Sequence, residues 1–403
     1  MNRLFIIGNG FDLAHSLPTS YKDFLNSFWK NLKEESRDPM VSEIIYIDDS
    51  YFRFFNMVEI NNFESFTSAL ILYAREYGYH FTENRFVLEG PNGNILYIKN
   101  GFFQRINQIN LLNNWVDVEN EYYDSLKAIA LAEGLNKEQK KQRAARLNVE
   151  FNQVRDLLVR YLRNEVLNKH DFDWKISKQW EGTFDLLKPI SIYGNDKPQL
   201  MEEFQFQADK TELIQQLKGR DLAMGTFGKI HFLIFNYTPT IDFYVGKLHS
   251  EGYQSTTNYI HGRVKNHSEY PVVFGFGDEI DEDYRKIENI NDNEFLGNFK
   301  SFSYSQNGNY KALFDFIDGG KFQTVVIGHS CGLSDRVLLN SIFEHENCRS
   351  IKPIFFSKEG KDNYTDIVQN ISRHFNDKSI MRRKIVNKTL IQPIPQNQIP
   401  LKN

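Results

Sequence analysis

Four short clusters carry side chains that could do chemistry: Gly8-Asn9-Gly10-Phe11-Asp12, Asn236-Tyr237-Thr238, His261-Gly262 and Gly328-His329-Ser330. Gly8 and Gly10 lack the Cβ atoms that would stop a strand-to-helix turn from folding tightly and would keep backbone N–H groups away from a phosphate or ribose. The third glycine of a dinucleotide fingerprint would fall where Leu13 stands, so the turn does not describe an ordinary dehydrogenase. An imidazole with an unperturbed pKa of about 6.5 suits proton transfer at neutral pH, which makes His261 a candidate general base. The Asn236 amide could hold a water or a ribose hydroxyl, Asp12 could accept from a ribose hydroxyl, and Ser330 could contact phosphate or ribose through its hydroxyl. Each has a structural alternative: Asn236 and Asp12 as helix caps, His261 as a turn residue, and His329 as a satisfied core histidine. What separates the readings is joint placement, because every cluster directly follows a run that reads as a strand.

Those runs define the scaffold. Arg3 to Gly8 reads as a buried strand, and Ser20 with Asp23 has capping-box spacing at the start of a helix. Later strands are expected at Lys229–Phe235, Thr257–Ile260, Pro271–Phe274, Phe322–Ile327 and Ile351–Phe356, with helices from Pro239, from Leu333 to Glu346 and from Asp362 to Phe375. Alternating β and α segments predict a Rossmann-type parallel sheet with helices on both faces, and ligands of such sheets bind outside the carboxyl ends of the strands. Residues 1–30 with 225–376 would form this core, 31–224 a large, mostly helical insertion, and 377–403, with its prolines, a C-terminal tail that is an arm or disordered. Within the insertion, Phe86–Ile98 around Pro91-Asn92-Gly93 reads as a small β excursion, and Leu147, Phe151, Val154, Leu158, Tyr161 and Val166 share one helix face. The basic run Lys137–Arg143 reads as a solvated helix face.

The chain has 403 residues, 41% of them hydrophobic and 25% charged, ordinary values for a protein that buries a real core. Its 34 Phe and 20 Tyr favour broad aromatic packing. A net charge of −4 gives no global nucleic-acid signature. No apolar run is long enough to cross a bilayer, and Met1 leads almost directly into a core strand, so a cytoplasmic protein without a membrane partner is expected. Cys331 and Cys348 cannot build a four-thiolate zinc site and read as buried free thiols.

The four clusters, in order and in strand context, resemble the sirtuin signature over roughly half of the chain. Gly8-x-Gly10 followed by Leu17-Pro18 resembles Gly-Ala-Gly-x-Ser followed by Ile-Pro. Asn236 and the two residues after it resemble the Gln-Asn-Ile-Asp loop, His261-Gly262 the catalytic His-Gly, and Gly328-x-Ser330 the Gly-Thr-Ser that contacts cofactor. Asp12 stands in place of a serine, and the zinc cysteines are missing. The resemblance therefore implies a sirtuin-like nucleotide site for NAD without acyl-peptide chemistry, with Asn236 and His261 catalytic and Gly8, Gly10, Asp12 and Ser330 binding.

A nearly end-to-end similarity is to the bacterial abortive-infection AbiH family. Its members resemble this chain at Ile6–Tyr21, in a Trp-x-Asp-x-Glu element at Trp115–Glu119, and in a late Gly-His-Ser with following polar residues at Gly328–Asp335. That resemblance implies a role in defence against phage and does not by itself fix the reaction; Asn9, Phe11, Gly328, His329 and Asp335 are expected to complete the nucleotide-contacting set. Together the two imply an NAD glycohydrolase that depletes NAD in infected cells, with a nucleotide sensor that lacks turnover, or a metal-dependent nuclease, as alternatives. Expected partners are a nucleotide-like small molecule and a phage-derived or host trigger; a homo-oligomer stays open.

Glu119 would enter the site as a second acid if the insertion folds over the sheet. Alternatively, Trp115 is core and Asp117 and Glu119 form a solvated helix start. A metal site from Asp117, Glu119, Asp278, Glu279 and Asp281 has no diagnostic spacing, and no metal is expected.

Overall fold

Leu4, Phe5, Ile6 and Ile7 are each fully buried. Burial on both faces is what the centre of a parallel sheet demands of a continuous apolar run. The computed structural model describes residues 1–49, 52–55, 58–109, 115–172, 180–190, 197–218, 228–264 and 272–402. They divide into two units, Met1–Leu17 with Leu162–Asp281 and Phe299–Asn403, and Pro18–Tyr161 with Glu282–Asn298.

The first unit is built on a sheet of β1 (Asn2–Ile7), β2 (Ile230–Ile234), β3 (Ser255–Tyr259), β4 (Phe322–Ile327) and β5 (Cys348–Ile354). Its spatial order is β3-β2-β1-β4-β5 and every pairing is parallel. This is the α/β Rossmann-like arrangement expected, with helices such as Thr240–Ser250, Asn309–Asp318, Arg336–Phe343 and Tyr364–Arg373 flanking the strands. The register is what matters for function: Ile7 pairs with both Ile234 and Ile327, Ile234 with Tyr259, and Ile327 with Ile354. These residues form one row, so the loops that follow them leave the sheet at one level.

Some boundaries differ from expectation. The segment from Val272 to Phe274 is buried but is not a strand; the Val273 N–H donates to the His261 carbonyl rather than to a ladder. The pairing in this region is instead a parallel bridge between Phe276 and Phe299, and Pro271 lies outside the described residues. The helix expected from Leu333 starts as a tight turn, Leu333–Asp335, before its regular part. The residues after Asp377 include a helix, Lys378–Lys384, and then run as an arm: Val386 donates to Ile351, Ile394 to Phe355, Asn397 to Ala14 and Ile399 to His15.

The second unit has an antiparallel four-stranded sheet in the order Ile45–Ile47, Gly93–Ile98, Val87–Gly90, His80–Thr82, so the expected hairpin is part of a larger sheet. Helix Tyr21–Glu35 carries the Ser20–Asp23 capping box. The shared face of helix Lys137–Tyr161 is buried, as its spacing predicts. Aromatic residues fill this core: the Trp29 ring lies 4.8 Å from that of Phe66 and 5.9 Å from that of Phe103, and its indole N–H donates to Asn107 at 2.8 Å. The junction placed at 224/225 falls within 219–227, outside the described residues.

Candidate functional site

The common row of strand ends brings all four clusters to one edge of the sheet in the first unit. The chain reverses its direction of winding between β1 and β4, which is where an open α/β sheet opens a crevice. Here two loops close on each other. Gly10 donates its N–H to the Gly328 carbonyl at 2.8 Å and Gly8 donates to Ile327 at 3.0 Å. A Cβ on Gly8 would lie 2.5 Å from His329 Cα, and one on Gly10 would lie 2.7 Å from Gly328 Cα. In this structure the two glycines serve the close passage of backbone past backbone, and both N–H groups are engaged inside the protein. Asn9 beside them is half-buried, while Phe11 is a core ring, 4.5 Å from the His15 ring and 5.8 Å from that of Tyr244.

Asp335 stands at the centre of the site. Its Oδ1 lies 2.9 Å from Lys300 Nζ and 3.2 Å from His261 Nε2, and its Oδ2 lies 3.7 Å from His329 Nε2. Burial alone would push the Asp335 carboxyl up; Lys300, then His261 and His329, outweigh it and hold the group well below the usual carboxylate range. Asp335 is thus placed as the partner of the His261 ring. Lys300 reaches it because its N–H donates to Phe276, next to the Phe276–Phe299 bridge. One helical turn on, the Tyr304 hydroxyl lies 3.2 Å from His261 Nε2. Neither Lys300 nor Tyr304 follows a strand or sits in a motif, so nothing local in the sequence marked them.

His329 is fixed from its other side. The Cys331 N–H donates to His329 Nδ1 at 3.0 Å, which leaves the ring proton on Nε2, toward Asp335. Burial, with smaller opposing and supporting charges, lowers the His329 pKa to about 4, so it is neutral at physiological pH. Cys331 itself is buried, and burial pushes its thiol up, as expected of an inert cysteine; Cys348 is likewise buried and free. Ser330 is half-buried and its carbonyl accepts from Asn370 at 2.7 Å.

A second polar group sits where β1 and β2 end. Asp12 Oδ2 accepts from the Thr238 hydroxyl at 2.6 Å, and Thr238 lies 3.1 Å from the Thr240 hydroxyl. Asp12 Oδ1 and both polar atoms of the Asn236 amide are buried without a hydrogen-bond partner. Burial raises the Asp12 pKa to about 6, against the pull of Thr238, Thr240 and the nearby Asn236 amide. Asn236 caps no helix, since helix Thr240–Ser250 starts after Pro239 without a side-chain cap. Buried polar atoms left open cost stability, and three of them lie together at this strand-end corner. Thr240 is a further residue that the sequence did not single out.

Glu119 belongs to the second unit, where it is buried on helix Trp115–Ala130 with Asp117 half-buried nearby; the Trp115 side chain is outside the described residues. Asp278 pairs with Arg336 at 3.2 Å. Among the described residues no group of three or more His, Cys, Asp or Glu is arranged to hold a metal ion. No helix among them is long and apolar enough to cross a membrane.

Comparison with curated proteins and with solved structures finds no match. A family model described as bacteriophage abortive infection AbiH matches residues 4–357, a span that contains every residue of the site described above. The chain belongs to the AbiH family, and its role is therefore in abortive infection against bacteriophage.

Proposed function

We propose that this protein hydrolyses the nicotinamide glycosidic bond of NAD through a sirtuin-like site, depleting the dinucleotide in infected cells. The observation that carries the reading is the buried His261–Asp335 pair at the same sheet edge as the open Asn236 amide and Asp12 carboxyl. Asp335 orients the imidazole as a carboxylate orients a catalytic histidine, and Asn236 supplies a donor and an acceptor for a water or ribose hydroxyl. In the reaction, water adds to the ribose carbon of an oxocarbenium-like centre and His261 takes the proton. The electron pair of the broken bond returns to the pyridine nitrogen. Nicotinamide leaves neutral and ADP-ribose remains. Asp12 would accept from a ribose hydroxyl, a contact that would also compensate its buried charge.

The test is incubation of purified wild-type, His261→Ala and Asn236→Ala protein with NAD, following nicotinamide and ADP-ribose by liquid chromatography. Release by the wild type alone, with all three proteins melting as folded chains, supports the assignment. Release by both variants overturns these roles. A second reading, a nucleotide sensor, draws on the burial of Asp12, Asn236, His261, His329 and Asp335, each at most 6% exposed. It expects NAD or ADP-ribose to raise the melting temperature with no product formed.

A further inference from the structure

We propose that Arg263 is the anion-binding residue of this sheet edge and takes the phosphate carried by the ribose that Asp12 and Asn236 hold, so that the ligand is a ribose phosphate rather than a free nucleoside. The inference rests on the reading of that corner as a ribose site. Arg263 directly follows His261-Gly262, and the backbone on both sides of it is pinned. The Gly262 N–H donates to the Tyr259 carbonyl at 3.0 Å, in a turn where Gly262 has φ +79, and the Val264 N–H donates to the Tyr237 carbonyl at 3.1 Å. That second bond fastens the chain after Arg263 to the loop Asn236-Tyr237-Thr238, which carries the open amide.

The side chain is held as firmly. One terminal nitrogen of Arg263 donates to Asp242 Oδ2 at 2.5 Å, and the guanidinium carbon lies 4.2 Å from the centre of the Tyr259 ring, whose hydroxyl donates to Asp242 Oδ1 at 2.5 Å. Asp242 is in the first turn of helix Thr240–Ser250, the turn that also sets Thr240 against Thr238, which in turn donates to Asp12. A guanidinium carries five N–H donors in a planar fork. Asp242 takes one of them, and the others meet no acceptor among the described residues, on a side chain only 20% exposed. Stacking on Tyr259 covers a face of the fork and leaves its donor edge open. Charge gives that edge its use. The segments Gly8–Asp12, Asn236–Asp242 and Ile260–Val264 contain two carboxylates, Asp12 and Asp242, and a single Lys or Arg, which is Arg263. A phosphate brought to this corner by its ribose is repelled by both carboxylates unless a cation receives it, and a fork already fixed in place binds an oxyanion with little further loss of side-chain freedom.

The experiment is calorimetric titration of the full chain, as wild type, Arg263→Lys and Arg263→Met, with nicotinamide mononucleotide and with nicotinamide riboside, which differ by one phosphate. The wild type should bind the mononucleotide more tightly by about tenfold or more, the size of one charge-assisted contact. Arg263→Met should lose this ratio while keeping its affinity for the riboside, and Arg263→Lys should keep part of it. An arginine that only braces the loop lowers both affinities together, so a ratio that survives in Arg263→Met overturns the proposal. Should that variant fail to fold, the wild type decides through modification by phenylglyoxal and peptide mass mapping: the mononucleotide, and not the riboside, should protect Arg263. Equal protection by the two compounds, or by neither, overturns it. No binding of either compound by the wild type overturns this inference together with the ribose site it rests on. Nicotinamide release, followed in the same samples, reports on hydrolysis separately, so a chain that binds with the expected ratio and forms no nicotinamide fails the hydrolysis reading and supports this one.

Discussion

Gly10 and Gly328 meet backbone to backbone across the point where the sheet reverses its winding, the N–H of Gly10 on the carbonyl of Gly328 at 2.8 Å. The contact is tighter than any side chain allows. A Cβ on Gly328 would sit 2.1 Å from the Phe11 nitrogen, and Gly328 has φ +67. The segment Gly8–Asp12 owes its geometry to this crossing, and through Asp12 so does the polar corner with Asn236.

Gly328→Ala should therefore cost on the order of 3 kcal/mol or more, since backbone strain and overpacking each contribute about 1–3 kcal/mol. Gly10→Ala should cost somewhat less, having only the steric part. Gly246→Ala is the control: Gly246 lies in helix Thr240–Ser250 with nothing within 4 Å of an added Cβ, and the change should stabilise by roughly 1 kcal/mol. Denaturant unfolding of the three variants checks the order; equal costs at all three sites would mean that the crossing does not constrain the fold.

Asp12 gives a pH dependence with a definite sign. Its folded pKa of about 6 lies above the ordinary value of about 3.9, so between those limits the folded chain binds the extra proton and Asp12 costs stability as pH rises. The full cost is present above pH 6 and is on the order of 3 kcal/mol. The buried neutral histidines His15 and His329, each lowered to about 4, act oppositely: they cost stability as pH falls from about 6.5 toward 4. Asp12→Asn should therefore make stability rise more steeply from pH 4 to 6 than in the wild type, and melting temperatures across that range test it. Parallel profiles would show that Asp12 is not strained by burial.

Much of the scaffold could be read from the sequence because it is written in local signals. The strands of the parallel sheet are continuous apolar runs, and the Ser20–Asp23 box is a pattern within four residues. The strand-end clusters were legible for the same reason, and the level row of Ile7, Ile234, Tyr259 and Ile327 is what turns them into neighbours. Lys300 and Tyr304 were not legible. They reach His261 by a bridge between Phe276 and Phe299, a pairing of two isolated residues that leaves no periodicity. Asp335 could be flagged as polar near a strand end, but its placement on His261 depends on a contact 74 residues away in sequence, which no spacing rule supplies.

Removing Asp335 alone should be worse than removing both members of its ion pair. Asp335→Asn leaves the Lys300 ammonium buried without its carboxylate, a loss of about 3–5 kcal/mol by the usual cost of breaking a buried pair. Lys300→Met/Asp335→Asn removes both charges, and much of that loss should return, although NAD turnover should not. The comparison is a double-mutant cycle by denaturant unfolding. Additive losses would mean that the two groups do not act as a pair.

The C-terminal arm holds the chain just after Asp12. Asn397 donates its N–H to Ala14 at 2.7 Å, Ile399 donates to His15 at 3.0 Å, the Ser16 hydroxyl donates to Asn397 at 2.9 Å, and the Asn397 amide donates to Thr183 at 2.8 Å. The buried Ile394 and Ile399 anchor the arm. These bonds fix the carbonyl side of residues whose own N–H groups close the turn after Asp12: Ala14 to Gly10, and His15 and Leu17 to Asp12. A chain ending at Gln392 keeps the sheet and every residue of the site, yet loses all four contacts. Hydrogen exchange at Ala14, His15 and Leu17 should then speed up by about tenfold or more while β1 and β4 stay protected, because the cost of opening that segment falls and that of the sheet does not. Unchanged exchange at those amides would show that the arm rests on the unit without holding it, and uniform acceleration in β1 as well would show that it stabilises the whole unit rather than this segment.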